Sequence, residues 1–283
     1  MKKFREGFMQ VLFMLSALVS IIAVALICIF LFANGVPAIR EIGLVDFLTG
    51  TSWKPEQNIY GILPMIIGSI YVTAGAMLIG VPICILTALF LVHFCPAGLY
   101  RFLKPAVDLL AGIPSIVYSF FGLTVIVPAI RNGLGGSGSS MLAASVVLGI
   151  MILPTIINVS ESAIRAVPES YYEGSLALGA SHERSVFFTV LPAAKSGVFA
   201  AVILGMGRAV GETMVVIMVA GNQTAMPGGP LQGLRTLTAN IVLEMAYAAD
   251  LHRGALIATA VVLFVFILII NLSFSLLKRR AKL

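Results

Sequence analysis

The sequence predicts an all-α integral membrane protein with six membrane-spanning helices. Hydrophobic residues make up 59% of the 283 and charged residues only 11%, with a mean hydropathy of +1.05. A water-soluble fold has no interior large enough to hide that much apolar surface. The apolar residues fall into long runs rather than alternating as barrel strands do, so helices must satisfy the backbone in lipid. Most basic residues flank those runs, where they set topology. This distribution argues against nucleic acid as the reason for the formal net charge of +6.

The first span is expected at 8–33, after a short basic start. It is longer than the roughly 7–15-residue core of a signal peptide and reads as a retained helix. A polar interval at 34–60 is expected to be partly helical and interfacial, with Trp53 at headgroup depth or, less simply, in a binding role. Further spans are expected at 61–92, 106–130, 141–159, 191–220 and 254–277. A polar pair of short helices fills 161–189, and a second polar interval fills 221–253. The chain thus divides into an N-terminal helix with its outer segment (1–60) and a five-helix core (61–283) carrying the polar helix pair. Cys28, Cys84 and Cys95 have no metal or redox spacing and read as packing residues.

Six spans place both termini on one side. Twelve of the 18 Lys and Arg fall on that side and five on the other, with Arg208 inside a span. The positive-inside rule therefore puts the termini, the 93–105 loop and the 161–189 element in the cytoplasm. In that element Pro168 and Glu169 are suited to open a helix, with a weak capping box between Ser170 and Glu173. Gly179 is placed to end it with a positive φ. Glu173, Gly174 and Ser175 lead to Leu191 and Pro192, where the chain re-enters the membrane. From residues alone the element is either an interfacial amphipathic helix or a small-residue surface on which another protein closes.

Arg208 and Glu212, four apart in an apolar span, are expected to share one helix face. Each ionised group costs about 2.5–3.5 kcal/mol at a helix centre on insertion scales, so neither should face lipid. They form an internal ion pair that fixes packing, or they line a path in which the planar Arg208 fork meets an oxyanion. Gly205, Gly207 and Gly211 permit close helix approach, within the chain or to a second subunit. Ser115, Tyr118, Thr155 and Asn158 either add polar groups to a path or hold helices together. No phosphate-cradling Gly-Lys loop occurs, so ATP hydrolysis would belong to another chain. His93, His182 and His252 have no HExxH or serine-hydrolase arrangement, which leaves a membrane enzyme poorly supported. A passive anion channel would not need the polar helix pair.

The order Glu173, Gly179, Leu191, Pro192 resembles the signature of permease subunits of bacterial ABC importers, Glu-Ala-Ala-x-x-x-Gly, nine residues, Ile-x-Leu-Pro. The sequence departs from it at Gly174 and Ser175 (Ala in the family) and at Thr189 (Ile in the family). GIPSIVY at 112–118, GRAVGETM at 207–214, Gly221-Asn222, FLTGTSW at 47–53 and LTANI at 237–241 further resemble the phosphate-specific importer, its PstC-type permease family in particular. The sister PstA-type permease, or a permease for another oxyanion, is the nearest alternative. The resemblance implies a type I ABC permease fold in the bacterial inner membrane, with a coupling helix at about 169–189. It also implies a PstA-like second permease, two PstB-like ATPase subunits and a PstS-like extracytoplasmic phosphate-binding protein. No cofactor is expected on this chain; ATP and Mg would be used by the ATPase subunits.

Overall fold

The computed structural model describes residues 2–280; Met1 and residues 281–283, including Lys282 of the charge count, lie outside the described residues. Helix α1 (Lys2–Ile42) runs through the first expected span and on through Pro37, so the polar interval begins as continued helix. Gly35 lets this helix lie close against the last one: a Cβ there would come within 2.7 Å of the Val261 side chain. After α2 (Leu44–Thr49), strand β1 (Trp53–Lys54) pairs antiparallel with β2 (Ile59–Tyr60), Trp53 opposite Tyr60. Then come α3 (Leu63–Phe94), α4 (Ala97–Gly112), α5 (Ser115–Leu134) and α6 (Met141–Arg165). The helix α7 (Glu169–Ala177) precedes a bent pair, α8 (His182–Ala193) and α9 (Lys195–Gly211), which meet at 71°. The chain ends with α10 (Met214–Val219), α11 (Leu237–Glu244) and α12 (Asp250–Arg280).

Among the described residues five helices are long and apolar enough to cross a membrane, and six if the bent pair is counted as one span. At the centre lies α6, whose Leu148, Met151, Ile152 and Ile156 are fully buried. It packs against α3 and α9. Small residues bring these backbones together, as expected where lipid gives no hydrophobic drive to helix association. A Cβ on Gly75 of α3 would collide with Ser145 of α6, and one on Gly205 of α9 would meet Ile156 at 2.5 Å.

Four expectations need correction. The third span does not run unbroken over 106–130: α4 stops at Gly112, Ile113 and Pro114 are extended, and α5 starts at Ser115. Proline disfavours helical backbone in the residue before it, so GIP is a break despite its apolar setting. The fifth span breaks too, at Glu212 (φ −72°, ψ 132°). Glu161 is not in the polar helix pair; α6 continues through it to Arg165, and Glu161 is only 3% exposed. Trp53 does not turn its ring outward as an interfacial anchor would; it is buried in the protein, among Tyr60, Leu237 and Leu256.

Candidate functional site

The break comes after the Cα of Glu212, whose φ of −72° is still helical, so Glu212 parts from Arg208 through the turn of its side chain. Arg208, in the last turn of α9, donates from Nη1 to Thr155 Oγ1 of α6 at 2.9 Å. The Glu212 carboxylate instead accepts from the backbone N–H groups of Met214 (3.1 Å) and Val215 (3.4 Å), capping α10. The ion-pair reading is therefore corrected. No carboxylate lies within ion-pair reach of Arg208 among the described residues.

The half-buried Arg208 lines a groove of ≈ 580 Å³ with Thr155, Ile203, Leu204, Gly207 and Asn271. Tyr118 of α5 lies within the field of its charge. Chemically this is a fixed guanidinium with donors to spare, a hydroxyl beside it and apolar walls around it. Such a site suits an oxyanion, because the planar fork can donate two parallel bonds to two oxygens. Gly207 and Gly211 face nothing within 4 Å of where a Cβ would stand, so they take no part in packing among the described residues; Gly205 does. Ser115 starts α5, and its carbonyl accepts from Ser119 (2.8 Å). Tyr118 donates to the Leu110 carbonyl (2.8 Å), tying α5 back to α4.

The broken helix is held by residues far along the chain. Thr238 donates to the Glu212 carbonyl at 3.1 Å, and Asn222 to the Ile217 carbonyl at 2.7 Å, closing α10. Gly221 and Asn222 take positive φ (82° and 52°), a conformation open to Gly and tolerated by Asn. Arg235 then bonds the Asn222 carbonyl (3.1 Å) and the Asn240 side chain (3.0 Å). The motif stretches 207–214, 221–222 and 237–241 are thus mutual supports of one irregular segment.

The same network continues to a buried carboxylate. Glu244 accepts from Arg235, from Trp53 Nε1 (2.8 Å), and pairs with His252 Nε2 (2.9 Å). Burial raises its pKa, but hydrogen bonds from Trp53, His252 and Arg235 with the arginine charge outweigh that and hold it below its ordinary value. A carboxylate with a lowered folded-state pKa stabilises the fold above its unfolded value of about 4.3 and loses that contribution as pH falls through the folded value. Glu244→Gln is therefore expected to destabilise the purified protein at neutral pH and to flatten the fall of Tm on acidification below about pH 4. An unchanged slope would remove Glu244 from that role.

The polar helix pair is built as follows. Pro168 is the N-cap of α7 rather than its first turn, and no side chain caps it, so the Ser170–Glu173 capping box is absent. Gly179 does end the helix with φ +85°. Ser181 caps α8, accepting from the Arg184 N–H at 3.3 Å. Glu173 and Gly174 are exposed, Leu178 is 91% exposed, Leu191 is half-buried and Pro192 is exposed. Ser175 and Thr189, two of the departures from the signature, meet: Thr189 Oγ1 lies 3.3 Å from Ser175 Oγ, and Ser185 Oγ 3.1 Å from it. Tyr172 hydrogen-bonds His182 Nδ1 (2.6 Å), and Phe94 of α3 packs edge-on to the His182 ring at 4.6 Å. The element is thereby pinned to α3 by side chains that sequence reading had not singled out.

Asn158 does not reach Arg208. Its side chain accepts from Lys104 Nζ (2.8 Å) and donates to Asp108 Oδ1 (2.9 Å), both on α4. Lys104 also lies 3.1 Å from Glu161 Oε2, and Tyr100 donates to Glu161 Oε1 at 2.7 Å. Neither Lys104 nor Glu161 was legible as a partner from spacing, because they are 57 positions apart.

Known proteins share both the sequence and the shape. The probable ABC transporter permease YqgH of Bacillus subtilis is 40% identical over 266 residues, covering 90% of this chain and 86% of that protein. The phosphate transport system permease protein PstC of Mesorhizobium japonicum is 33% identical over 276 residues, covering 90% and 84%. The fold is that of a solved chain of the MetNI methionine ABC transporter, with a TM-score of 0.61 at 19% identity over 81% of this chain and 99% of that one. It is also that of a chain of a bacterial ABC transporter that imports alginate, with a TM-score of 0.64 at 14% identity over 95% and 96%. Residues 80–283 match the binding-protein-dependent transport system inner membrane component, and the chain belongs to that family of multi-pass inner-membrane transport permeases.

Proposed function

We propose that this chain is a transmembrane permease subunit of an ATP-driven phosphate importer. It forms the translocation path with a second, PstA-like permease and is coupled to two PstB-like ATPase subunits through the element spanning α7 and α8. A PstS-like binding protein delivers the anion to the outer face. The observation that carries the cargo is Arg208, a guanidinium in an apolar span with no carboxylate partner among the described residues, beside Thr155 in a groove. A lone charge there costs free energy unless an anion visits it. Relatives named as phosphate permeases at 32–34% identity support the same reading. Glu212 has the separate task of capping α10 and keeping the break beside Arg208. The open Gly207 and Gly211 suit close approach of the second permease. The exposed Leu178 at the tip of the polar element suits a cleft on an ATPase. ATP and Mg act on those ATPases, not on this chain.

Uptake of labelled phosphate by the reconstituted complex tests the cargo. Excess sulfate or phosphonate should compete weakly; equal competition by either would overturn phosphate as the preferred anion. The charge bias also predicts orientation. A reporter after Lys282 should be cytoplasmic and one inserted at Gly228 external, and finding both on the same side would refute the six-span arrangement.

A further inference from the structure

We propose that the polar seam between α4 and α6 is a clasp that opens in each transport cycle, swinging α4 about the extended Ile113–Pro114 joint. The inference rests on the reading that this chain lines the path.

None of the 16 residues of α4 is buried. Tyr100, Lys104 and Asp108, spaced four apart on one face, hold it to Asn158 and Glu161 of α6. On α6, Thr155, Asn158, Glu161 and Arg165 fall on one face, three or four residues apart. The clasp therefore starts one turn from the Thr155 hydroxyl that receives Arg208. It runs to the end of α6 that leads into the coupling element.

The arrangement of charges is what suits it to opening. Removing one member of a buried ion pair normally leaves the other uncompensated, which is strongly unfavourable. Here each charge keeps a partner on its own helix. Lys104 is paired with Asp108 (3.1 Å), so the two leave together with α4. Glu161 is paired with Arg165 (3.1 Å), so it stays balanced on α6. Only the cross-helix contacts need be exchanged for water. The Lys104 ammonium is 3.1 Å from both Asp108 Oδ1 and Glu161 Oε2 and gives its shortest bond, 2.8 Å, to Asn158 Oδ1, so it keeps the Asp108 contact when the other two are exchanged for water. Gly112, beside the joint, has nothing within 4 Å of a Cβ position. A permanent structural joint would need neither the duplicate pairing nor the open hinge.

The test bridges the seam covalently. In a background with Cys28, Cys84 and Cys95 replaced by Ala, Asp108→Cys/Asn158→Cys is closed in the assembled complex with a short bifunctional methanethiosulfonate, which forms a reducible disulfide to each thiol and releases sulfinate. Loss of free thiols measures the yield, and uptake by the reduced form is the reference. Bridging is expected to lower phosphate uptake to about a tenth or less, with recovery on reduction, as for other locked gates. Any smaller fall at full bridging overturns the clasp, because a seam that never opens tolerates the bridge. Should the reduced pair assemble poorly, Tyr100→Cys/Arg165→Cys spans the same seam, where the Arg165 guanidinium lies 5.1 Å from the Tyr100 ring centre. The complex without these substitutions is assayed alongside. If it takes up no phosphate, the cargo reading fails, and the clasp is read from binding-protein-stimulated ATP turnover, which bridging should suppress to the same degree.

Discussion

Arg208→Gln is expected to leave the subunit in the membrane and assembled, yet to lower phosphate uptake by at least about tenfold. Charged hydrogen bonds to an oxyanion are the strong ones, and glutamine supplies neither the charge nor the fork. The packing loss is small, since among the described residues the guanidinium makes one protein hydrogen bond, to Thr155. Arg208→Lys keeps the charge and loses the planar pair of donors, so partial uptake with weaker discrimination against sulfate is expected. Glu212→Gln should behave differently. It weakens the cap on the Met214 and Val215 N–H groups, a loss on the scale of a cap substitution at about 0.5–2 kcal/mol, and so lowers stability more than selectivity. The double variant distinguishes the roles further. An ion pair would be rescued when both charges are removed; with separate roles, the double variant should transport no better than Arg208→Gln. Near-normal uptake by Arg208→Gln at matched membrane levels would reduce this residue to helix packing.

The spans were legible because lipid imposes a simple rule: a run of apolar residues long enough to cross, flanked by cations. The breaks inside them obey a different rule, that of local backbone chemistry and distant support. The break at Ile113 had a signal, the proline that follows it, which apolar continuity masked. The break at Glu212 had none nearby. It is supported by Thr238, 26 positions away, and by the chain reversal at Gly221 and Asn222. Spacing of four sets where two side chains start and not where they end: Arg208 turns to Thr155, and Glu212 to the N–H groups that the break leaves free.

Trp53 and Glu161 were misplaced for related reasons. A lone tryptophan beside a span belongs at the interface by frequency, yet here a carboxylate from α11 satisfies its indole N–H inside the protein. Polarity suggested that α6 ends before Glu161, yet Tyr100, Lys104 and Arg165 let the helix carry that carboxylate inward. The end of α7 was legible at Gly179, where glycine's access to positive φ is a local property. The meaning of Ser175 and Thr189 was out of reach, because each departs from the family pattern alone and only the fold shows that they touch.

Gly179→Trp should separate the permease from its ATPases. The glycine closes α7 at φ +85°, with nothing among the described residues within 4 Å of where a Cβ would stand, so the root of an indole side chain is unobstructed. The left-handed backbone costs about 1–2 kcal/mol for a residue with a Cβ, which would affect any such substitution alike. Gly179→Asn is therefore the control, since asparagine tolerates that conformation and adds little volume. If the tip of α7, with its 91% exposed Leu178, enters a cleft on the ATPase, the tryptophan should block entry while asparagine leaves most of it. Copurified ATPase should then fall at least about tenfold in the Trp variant, a loss of about 1.4 kcal/mol or more in docking free energy. Uptake should fall with it, and membrane insertion should be unchanged. A Trp variant that copurifies ATPase and transports like the Asn control would place the docking surface elsewhere on the element.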